Sequence, residues 1–345
     1  MKVLVSFNPN KKYDNFEGTR LRKNIKGSLE LHNVPYATND LDDQYDVMHL
    51  ISSESSALQE EAILLNKPVV VSALMGEDDP TASYLDFKYK DGNISYSISQ
   101  RKEKFLNNSD LILVPAEGAK KILEDNNITS RIEILKPGIN MARFDFSREE
   151  EKDLFYKYFR EERNKKLVVA VGDYSNMEGV NAFIQAGIKC PDANFYFFGQ
   201  IKSLKTLPFK VKKIIKKAPK NVHFKEIVPD DIYRSALLNA SIFMVPSYHY
   251  IGTVIILEAM AAKCEIVARE QAIYDGLLKD QETAHLAKFS ETLVGLVKDI
   301  LDGKVKSTIA EAYKEVQNYS LEAVGEKLIN LYQEIIDKKK EGSNL

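Results

Sequence analysis

The sequence has little of what marks several large classes of protein. Its two cysteines, Cys190 and Cys264, lie near neither each other nor a histidine cluster, which argues against a disulfide framework and a metal site. No apolar run approaches the about 18 residues of a membrane span, and Val3–Phe7 is too short for the core of a signal peptide. A formal net charge of -2 excludes polyanion binding by bulk charge.

Two thiols without a secretion signal fit a reducing cytoplasm. We therefore expect a cytoplasmic protein that is either soluble or held peripherally at the inner face of the plasma membrane.

What the sequence does contain is an alternation of short apolar runs with longer helical patterns. Nearly continuous Val, Ile and Leu runs are typical of strands buried on both faces of parallel sheets, and the intervening helices indicate right-handed βαβ units. The predicted strands are Lys2–Phe7, Asp46–Leu50, Pro68–Ala73, Leu111–Val114, Ile132–Leu135, Leu167–Val171, Asn194–Phe198, Val222–Phe224, Ile242–Val245 and Glu265–Ala268. The predicted helices are Thr19–Leu31, Ser55–Leu65, Glu117–Asp125, Val180–Ile188, Pro229–Asn239 and Thr253–Ala262.

The alternation occurs in two blocks, and 345 residues suffice for two domains of roughly 150 to 200 residues. We place the hinge in the charged stretch near residues 140–165. The sequence predicts Rossmann-like domains over residues 1–145 and 146–325, and a terminal helix and tail over residues 326–345 that pack back across the first domain. Ligands bind in the cleft at the carboxyl ends of such sheets.

A strand end, a glycine turn and a helix start follow one another over Pro246–Ala259. Backbone N–H groups at such a helix start suit a diphosphate, and Glu258, one to two turns into the helix, can accept hydrogen bonds from ribose hydroxyls. Taken alone, the segment fits an ordinary strand–helix turn with a surface glutamate better.

Neighbouring segments give this motif a family context, because the chain resembles the bacterial family-4 glycosyltransferases that build diglucosyl-diacylglycerol. The matching segments are Tyr45-Asp46-Val47-Met48-His49, Pro137-Gly138-Ile139-Asn140, Val171-Gly172-Asp173-Tyr174, Phe197-Phe198-Gly199, Ala218-Pro219-Lys220-Asn221-Val222, Val245-Pro246-Ser247-Tyr248, Leu257-Glu258-Ala259 and Tyr274-Asp275-Gly276. The likeness is strong after about residue 130 and weaker before it.

The resemblance implies an α/β protein with the GT-B fold, in which two Rossmann-like domains face each other across a cleft. It implies a UDP-sugar donor, retaining transfer of a hexose to a glycolipid, and neither a metal nor another cofactor. It assigns nucleotide-sugar binding to Gly172, Ser247, Gly252, Thr253 and Glu258.

Four family positions with ligand roles carry other residues in this chain. Where the family has a glutamate that holds the donor sugar, this chain has Tyr250. Where the family has an Arg-Lys-Gly triplet that holds the diphosphate, this chain has Met177-Glu178-Gly179, and the carboxylate of Glu178 would repel phosphate. The His-Gly-His run of the family is replaced by Ser72-Ala73-Leu74. The family's loop with two glycines is replaced by Gly18-Thr19-Arg20, and without the second glycine the backbone cannot approach a diphosphate as closely. The 16 glycines in 345 residues, against a usual share of about 7%, agree with lost ligand loops.

Two classes of function follow from these departures. The features favour a weakly active or noncatalytic homologue that is a partner or regulator of an active transferase. The alternative is an active retaining hexosyltransferase with an atypical donor site, in which Lys136, Arg143 or the pair Lys202 and Lys205 supplies the missing cation.

Two histidines lie where the cleft is expected. His49, at the end of a first-domain strand, is either a cleft residue or a half-buried histidine with its hydrogen bonds satisfied, and we favour the second. His249 either replaces a lost polar ligand of the donor pocket or lies in a surface loop, and we favour the loop.

The segment Ile201–Lys225 holds nine lysines and no acidic residue, interleaved with apolar residues. It can form a basic amphipathic helix suited to anionic lipid headgroups, although a solvated lysine face fits equally well. We expect no nucleic-acid partner, because no aromatic stacking platform accompanies the lysines. The lysines expected at a membrane are Lys210, Lys212, Lys213, Lys216 and Lys217.

Overall fold

The structure is a computed structural model of the chain. It describes residues 1–6, 17–38, 44–51, 56–73, 75, 83–90, 93–144, 147, 149–172, 174, 176–199, 207–226, 228–248 and 252–342.

The first half of the chain forms a six-stranded parallel sheet with helices, and a short 3-10 turn after its last strand leads towards the second half. The strands in chain order are β1 (Val3–Ser6), β2 (Tyr36–Ala37), β3 (Val47–Leu50), β4 (Val69–Ser72), β5 (Asp86–Lys90), β6 (Asn93–Ser97), β7 (Leu111–Val114) and β8 (Ile132–Ile134). The helices are α1 (Glu17–Leu31), α2 (Ser56–Leu64), α3 (Gln100–Asn107) and α4 (Glu117–Asp125), and a 3-10 turn follows at Met141–Phe144. The sheet order is β2-β1-β3-β4-β7-β8, while β5 and β6 pair as a separate antiparallel hairpin.

The second half forms another six-stranded parallel sheet, in the order β11-β10-β9-β12-β13-β14. Its strands are β9 (Leu167–Gly172), β10 (Asn194–Gly199), β11 (Val222–Lys225), β12 (Ala240–Val245), β13 (Glu265–Arg269) and β14 (His285–Ala287). The helices are α5 (Glu149–Phe159), α6 (Met177–Lys189), α7 (Phe209–Ile215), α8 (Asp230–Asn239), α9 (Thr253–Ala261), α10 (Ser290–Leu301), α11 (Ile309–Gln317) and α12 (Leu321–Gly342).

We call the two sheets with the helices that cover them the first lobe and the second lobe. In the second lobe the chain order reverses between the neighbouring strands β9 and β12, since β10 lies on one side and β13 on the other. A crevice opens at such a switch point in a parallel sheet. The helices that follow β9 and β12, which are α6 and α9, therefore begin side by side at this crevice.

The last helix returns to the first lobe, as predicted. The Ser28 hydroxyl on α1 donates to the Leu321 carbonyl at 2.8 Å, and Arg131, beside β8, pairs with Glu334 on α12 at 2.8 Å. The hinge helix α5 instead packs on α8, where the Phe155 amide donates to the Ser235 hydroxyl at 2.9 Å. The domain limits at residues 145/146 and 325/326 stay a prediction.

Each predicted strand and helix named above overlaps an element of the described residues. The basic amphipathic helix proposed within Ile201–Lys225 is shorter than that segment. Its helical part, α7, ends at Ile215, and Pro219 follows, before which helical backbone is disfavoured. Among the described helices, none combines the length and the apolar character needed to cross a bilayer.

Candidate functional site

The starts of α6 and α9 meet at the loop that follows β12. A Cβ atom added to Gly179, in the first turn of α6, would lie 3.0 Å from the Cα atom of Ser247. Ser247 is buried, and its carbonyl accepts a hydrogen bond from the Gln271 side chain at 3.2 Å. Residues 246–248 are thus held between the two helix starts, where the sequence placed the nucleotide site.

The start of α6 carries no cation among its first three residues. Its cap is local, because the Asn176 side chain accepts a hydrogen bond from the Gly179 amide at 2.7 Å. Met177 is exposed, and Glu178 is half-buried. The first turn of this helix therefore presents a thioether and a carboxylate, and an amide side chain already satisfies one of its free N–H groups.

Arg269 is a buried arginine whose side chain is hydrogen-bonded within the second lobe. Arg269, at the end of β13, donates to the Pro246 carbonyl at 2.9 Å and to the Ser290 hydroxyl at 2.6 Å. Its guanidinium lies 4.3 Å from the centre of the Tyr248 ring. Burial lowers the pKa of Arg269. The side chain is fully buried, so it stabilises the loop after β12 and is not exposed to the cleft.

The start of α9 is capped from the other lobe. The Val254 amide donates to the Glu17 carboxylate at 2.8 Å, across 237 residues of chain. A Cβ atom added to Gly252 would lie 1.9 Å from a Glu17 carboxylate oxygen. Only glycine fits at that position while Glu17 is bound there.

One turn further along α9, Glu258 is also engaged by the first lobe. Both of its carboxylate oxygens accept from Nη1 of Arg20, at 2.8 and 2.6 Å. Arg20 is 7% exposed and Glu258 is 3% exposed. Burial lowers the pKa of Arg20, but Glu258 and other neighbours raise it by more, so the net pKa is above its usual value.

Two further charges complete this cluster. Nη1 of Arg143 lies 3.6 Å from Glu258, while Nη2 of the same residue bonds to Asp230. Asp230 is also 3.7 Å from Arg20. Glu258 therefore faces two arginines, and both also contact Asp230.

Openings of different size are lined by residues of both lobes. A chamber of about 30 Å³ is lined by both lobes, including Glu17, Ser72, Met75, Leu113 and Thr253. Small-molecule sites usually measure about 300 to 1,000 Å³. A larger opening of about 400 Å³ lies beside the Arg20–Glu258 pair, and the side chains that line it are mostly charged.

The lobes touch at two more places. The Tyr89 ring of the β5–β6 hairpin stacks on Tyr248, with ring centres 4.0 Å apart and planes inclined by 20°. The Gly118 amide at the start of α4 donates to the Asp275 carbonyl at 3.0 Å. The protein is therefore in a closed arrangement.

The residues predicted to bind the nucleotide sugar lie around these helix starts. Gly252, Thr253 and Glu258 belong to the start of α9, Ser247 precedes it, and Gly172 ends the neighbouring strand β9. Whether they bind a nucleotide stays a prediction. In the described part of the chain, no group of three or more His, Cys, Asp or Glu side chains is arranged to hold a metal ion.

The substituted positions divide between the lobes. Met177 and Glu178 lie at the crevice, and Ser72 ends β4 across from them. Leu74 and Tyr250 lie outside the described residues, as do His249, Lys202 and Lys205.

His49 has the hydrogen bonds that the sequence interpretation expected, but it is fully buried rather than half-buried. Its Nε2 lies 2.7 Å from the Ser72 hydroxyl, its Nδ1 contacts the Tyr332 hydroxyl on α12, and the residue is fully buried. Burial lowers the pKa of His49 to about 3. The ring is therefore neutral at physiological pH and joins β3, β4 and α12.

Of the cations proposed as replacements, Lys136 and Arg143 lie within the described residues, and both have partners there. Lys136 donates to the Tyr319 hydroxyl at 2.7 Å and pairs with Glu315 at 3.5 Å. Arg143 lies in the Glu258 cluster, where it pairs with Asp230 and lies 3.6 Å from Glu258.

Sequence reasoning missed the residues that connect the lobes. The predicted helix began at Thr19 and so did not include Glu17. Arg20 was considered only as the residue that replaces a family glycine. Their partners lie more than 230 residues away in the chain, so no local pattern could pair them.

Comparison with known proteins identifies the second lobe. Residues 152–320 match the family described as glycosyl transferases group 1. The chain contains a group 1 glycosyltransferase domain. The match covers α6, α9 and the crevice between them, so the helix starts described above belong to this domain.

Two relatives of this chain are named for diacylglycerol glycolipids. The chain is 27% identical over 316 residues to the processive diacylglycerol alpha-glucosyltransferase of Acholeplasma laidlawii, covering 91% of this chain and 92% of the relative. It is 24% identical over 179 residues to the alpha-galactosylglucosyldiacylglycerol synthase of Streptococcus pneumoniae, covering 51% of this chain and 46% of the relative.

A solved structure supports the fold over almost the whole chain. The crystal structure of HepE from Anabaena, in complex with UDP and glucose, superposes with a TM-score of 0.72 at 13% identity. The match covers 97% of this chain and 100% of HepE. The predicted GT-B fold, with two parallel-sheet α/β domains, is confirmed.

Proposed function

We propose that this chain is a weakly active or noncatalytic homologue of the glycolipid hexosyltransferases and is a partner or regulator of an active transferase. The observation that carries the proposal is the start of α6. Its first turn carries Met177 and Glu178 and no cation, and Asn176 caps it.

The physical reason lies in the charge of the leaving group. When a glycosidic bond to a nucleoside diphosphate breaks, negative charge builds on the diphosphate, and positioned cations or N–H donors stabilise it. Losing one such donor typically costs about 10²–10³ in rate. At α6, Glu178 adds a charge of the wrong sign.

The existing contacts of Arg269, Lys136 and Arg143 support the proposal. Arg269 is buried and bonded to the loop after β12, Lys136 is bonded to Tyr319, and Arg143 is bonded to Asp230. Each would have to break an existing contact to reach a diphosphate at α6. This supports slow transfer or none.

A UDP-sugar is the donor that we propose for testing, because HepE was solved with UDP and glucose. The acceptor that we propose is a glucosyl-diacylglycerol, because both relatives are named for diacylglycerol glycolipids. Purified protein is incubated with UDP-glucose or UDP-galactose and monoglucosyl-diacylglycerol, and lipid products are measured. We expect transfer near or below detection.

Robust turnover by the unmodified chain would refute this proposal. It would establish the alternative instead, an active retaining hexosyltransferase with an atypical donor site.

We further propose that the lysines on and after α7 bind an anionic membrane surface. Lys210, Lys213, Lys216 and Lys217 are exposed, and Phe209 at the start of the helix is 79% exposed. An exposed aromatic ring beside lysines suits the headgroup region of a bilayer. Each lysine contributes up to about 1 kcal/mol near an anionic surface, and salt weakens the attraction.

Co-sedimentation with vesicles of phosphatidylglycerol or of phosphatidylcholine tests this surface. We expect binding to the anionic vesicles only, and about a tenfold or greater loss for Lys213→Ser with Lys216→Ser. Lys314→Ser with Lys327→Ser removes the same charge from exposed sites elsewhere and serves as the control. Equal binding to both vesicles, or none to either, rejects the surface.

A further inference from the structure

The first turn of α1 lies against the start of α9 with complementary charges. Glu17 accepts from the Val254 amide at 2.8 Å, and Arg20 binds Glu258 at 2.6 Å. Glu17 and Arg20 are three residues apart and so share a face of α1, while Val254 and Glu258 are four apart and share a face of α9. One turn of the first lobe thus meets one turn of the second at two points.

The Glu17 contact has the character of a ligand bound to an anion site. Helix starts attract anions, because their first N–H groups have no partner within the helix and the helix dipole is positive there. Glu17 is 6% exposed, and it lies so close to Gly252 that an added Cβ atom would meet its carboxylate at 1.9 Å. The carboxylate therefore occupies the space that a free anion would need.

Arg20 completes the occupation of α9. Its guanidinium contacts both oxygens of Glu258, and Glu258 is only 3% exposed, so a ligand reaches this carboxylate only if Arg20 moves. A ligand that needs both the helix start and Glu258 must displace both side chains of α1.

We infer that the start of α9 is an anion site whose resident ligand is Glu17 of the same chain, so that a phosphate-bearing ligand enters only when the lobes separate. The inference shares one assumption with the proposed function, namely that this crevice corresponds to the donor site of the family. Because Glu17 is tethered, its effective concentration at α9 is high, and a free anion must compete against it.

Hydrogen exchange of the peptide that contains Gly252–Glu258, read by mass spectrometry with and without inorganic pyrophosphate, tests the inference. In the wild-type protein, pyrophosphate should change nothing. In Glu17→Ala, exchange at the start of α9 should accelerate by about tenfold or more, and pyrophosphate should restore protection.

Two variants make the comparison specific. Glu30→Ala removes an exposed carboxylate from the same helix and should behave as the wild type. Glu17→Gln keeps the size of the side chain and an oxygen that can accept from Val254, so it serves if Glu17→Ala does not fold. Because it removes the charge, pyrophosphate should compete with it better than with Glu17.

Pyrophosphate that protects the wild type and the Glu17 variants equally, or protects none of them, overturns the inference. This readout involves no turnover, so its failure would leave the noncatalytic proposal standing on Met177 and Glu178. Conversely, turnover by the wild type would refute that proposal without deciding what Glu17 binds.

Discussion

The helices α6 and α9 follow neighbouring strands and begin at the same crevice, yet their starts are satisfied in different ways. Asn176 caps α6 from the adjoining residue at 2.7 Å. Glu17 caps α9 from the other lobe at 2.8 Å. One helix start has a local cap and an acidic side chain, and the other is held by a contact between lobes.

This difference separates two ways in which a ligand site can be lost. Under the proposed function, the start of α6 binds a diphosphate poorly because of its composition, since Met177 and Glu178 offer no positive charge in any arrangement of the lobes. At α9 the glycine and the carboxylate of the family pattern, Gly252 and Glu258, are both present but already bound by Glu17 and Arg20. Restoring a site at α6 therefore requires new residues, whereas at α9 it requires removing an existing contact.

The largest expected effect comes from breaking the buried pair at α9. Arg20→Leu leaves Glu258, which is 3% exposed, without its nearest cation. Breaking a buried ion pair by removing one partner typically costs about 3–5 kcal/mol, and Arg143 at 3.6 Å places the loss at the lower end. Urea unfolding measures the free energy of unfolding.

Arg131→Leu is the matched control for that variant, since its partners Glu133 and Glu334 are both about 40% exposed. Exposed pairs contribute about 0–1 kcal/mol. A loss at Arg20 no larger than the loss at Arg131 would contradict the importance given to the pair.

The second effect concerns ligand affinity at α6. Met177→Arg with Glu178→Lys removes the repulsive charge and adds two cations at the helix start, and Tyr250→Glu completes the family pattern. A hydrogen bond to a charged group contributes about 1.5–3 kcal/mol, so UDP should bind at least about tenfold more tightly. Calorimetry measures the affinity.

Ile188→Arg adds a cation near the other end of α6, at a residue that is 51% exposed, and should leave UDP binding unchanged. An equal gain from this control would mean that net charge rather than position matters.

The smallest effect is on the local cap of α6. Asn176→Ala removes the acceptor for the Gly179 amide and should lower the free energy of unfolding by about 1 kcal/mol. Ser99→Ala provides the comparison, because Ser99 precedes α3 without a side-chain cap hydrogen bond, and its loss should stay within about 0.5 kcal/mol. Thermal unfolding of both variants under the same conditions gives the difference.

Sequence periodicity predicted much of the fold, including the helices α6 and α9, but it did not predict every element. Both helices are amphipathic or apolar stretches that follow buried strands, so their existence and order are local properties. The β5–β6 hairpin was missed because its residues are mostly exposed and carry charges rather than a buried apolar face. Weak burial leaves weak periodicity.

The candidate site divides in the same way. Met177 and Glu178 could be recognised from the sequence, because a substituted motif is a local feature. Arg20 appeared only as a missing glycine, since its pairing with Glu258 depends on how the two lobes meet. His49 was expected to have its hydrogen bonds satisfied but to be only half-buried, and its partner Tyr332, which lies 283 residues away, could not be named.

Calorimetric titration of UDP into the unmodified protein tests the central claim most directly, namely that this crevice does not accept a nucleoside diphosphate while the lobes are closed. With Glu178 at one helix start and Glu17 at the other, we expect no saturable heat, or a Kd weaker than about 1 mM. Saturable binding with a Kd near about 1 μM, a gain of about 4 kcal/mol over that limit, would contradict the claim.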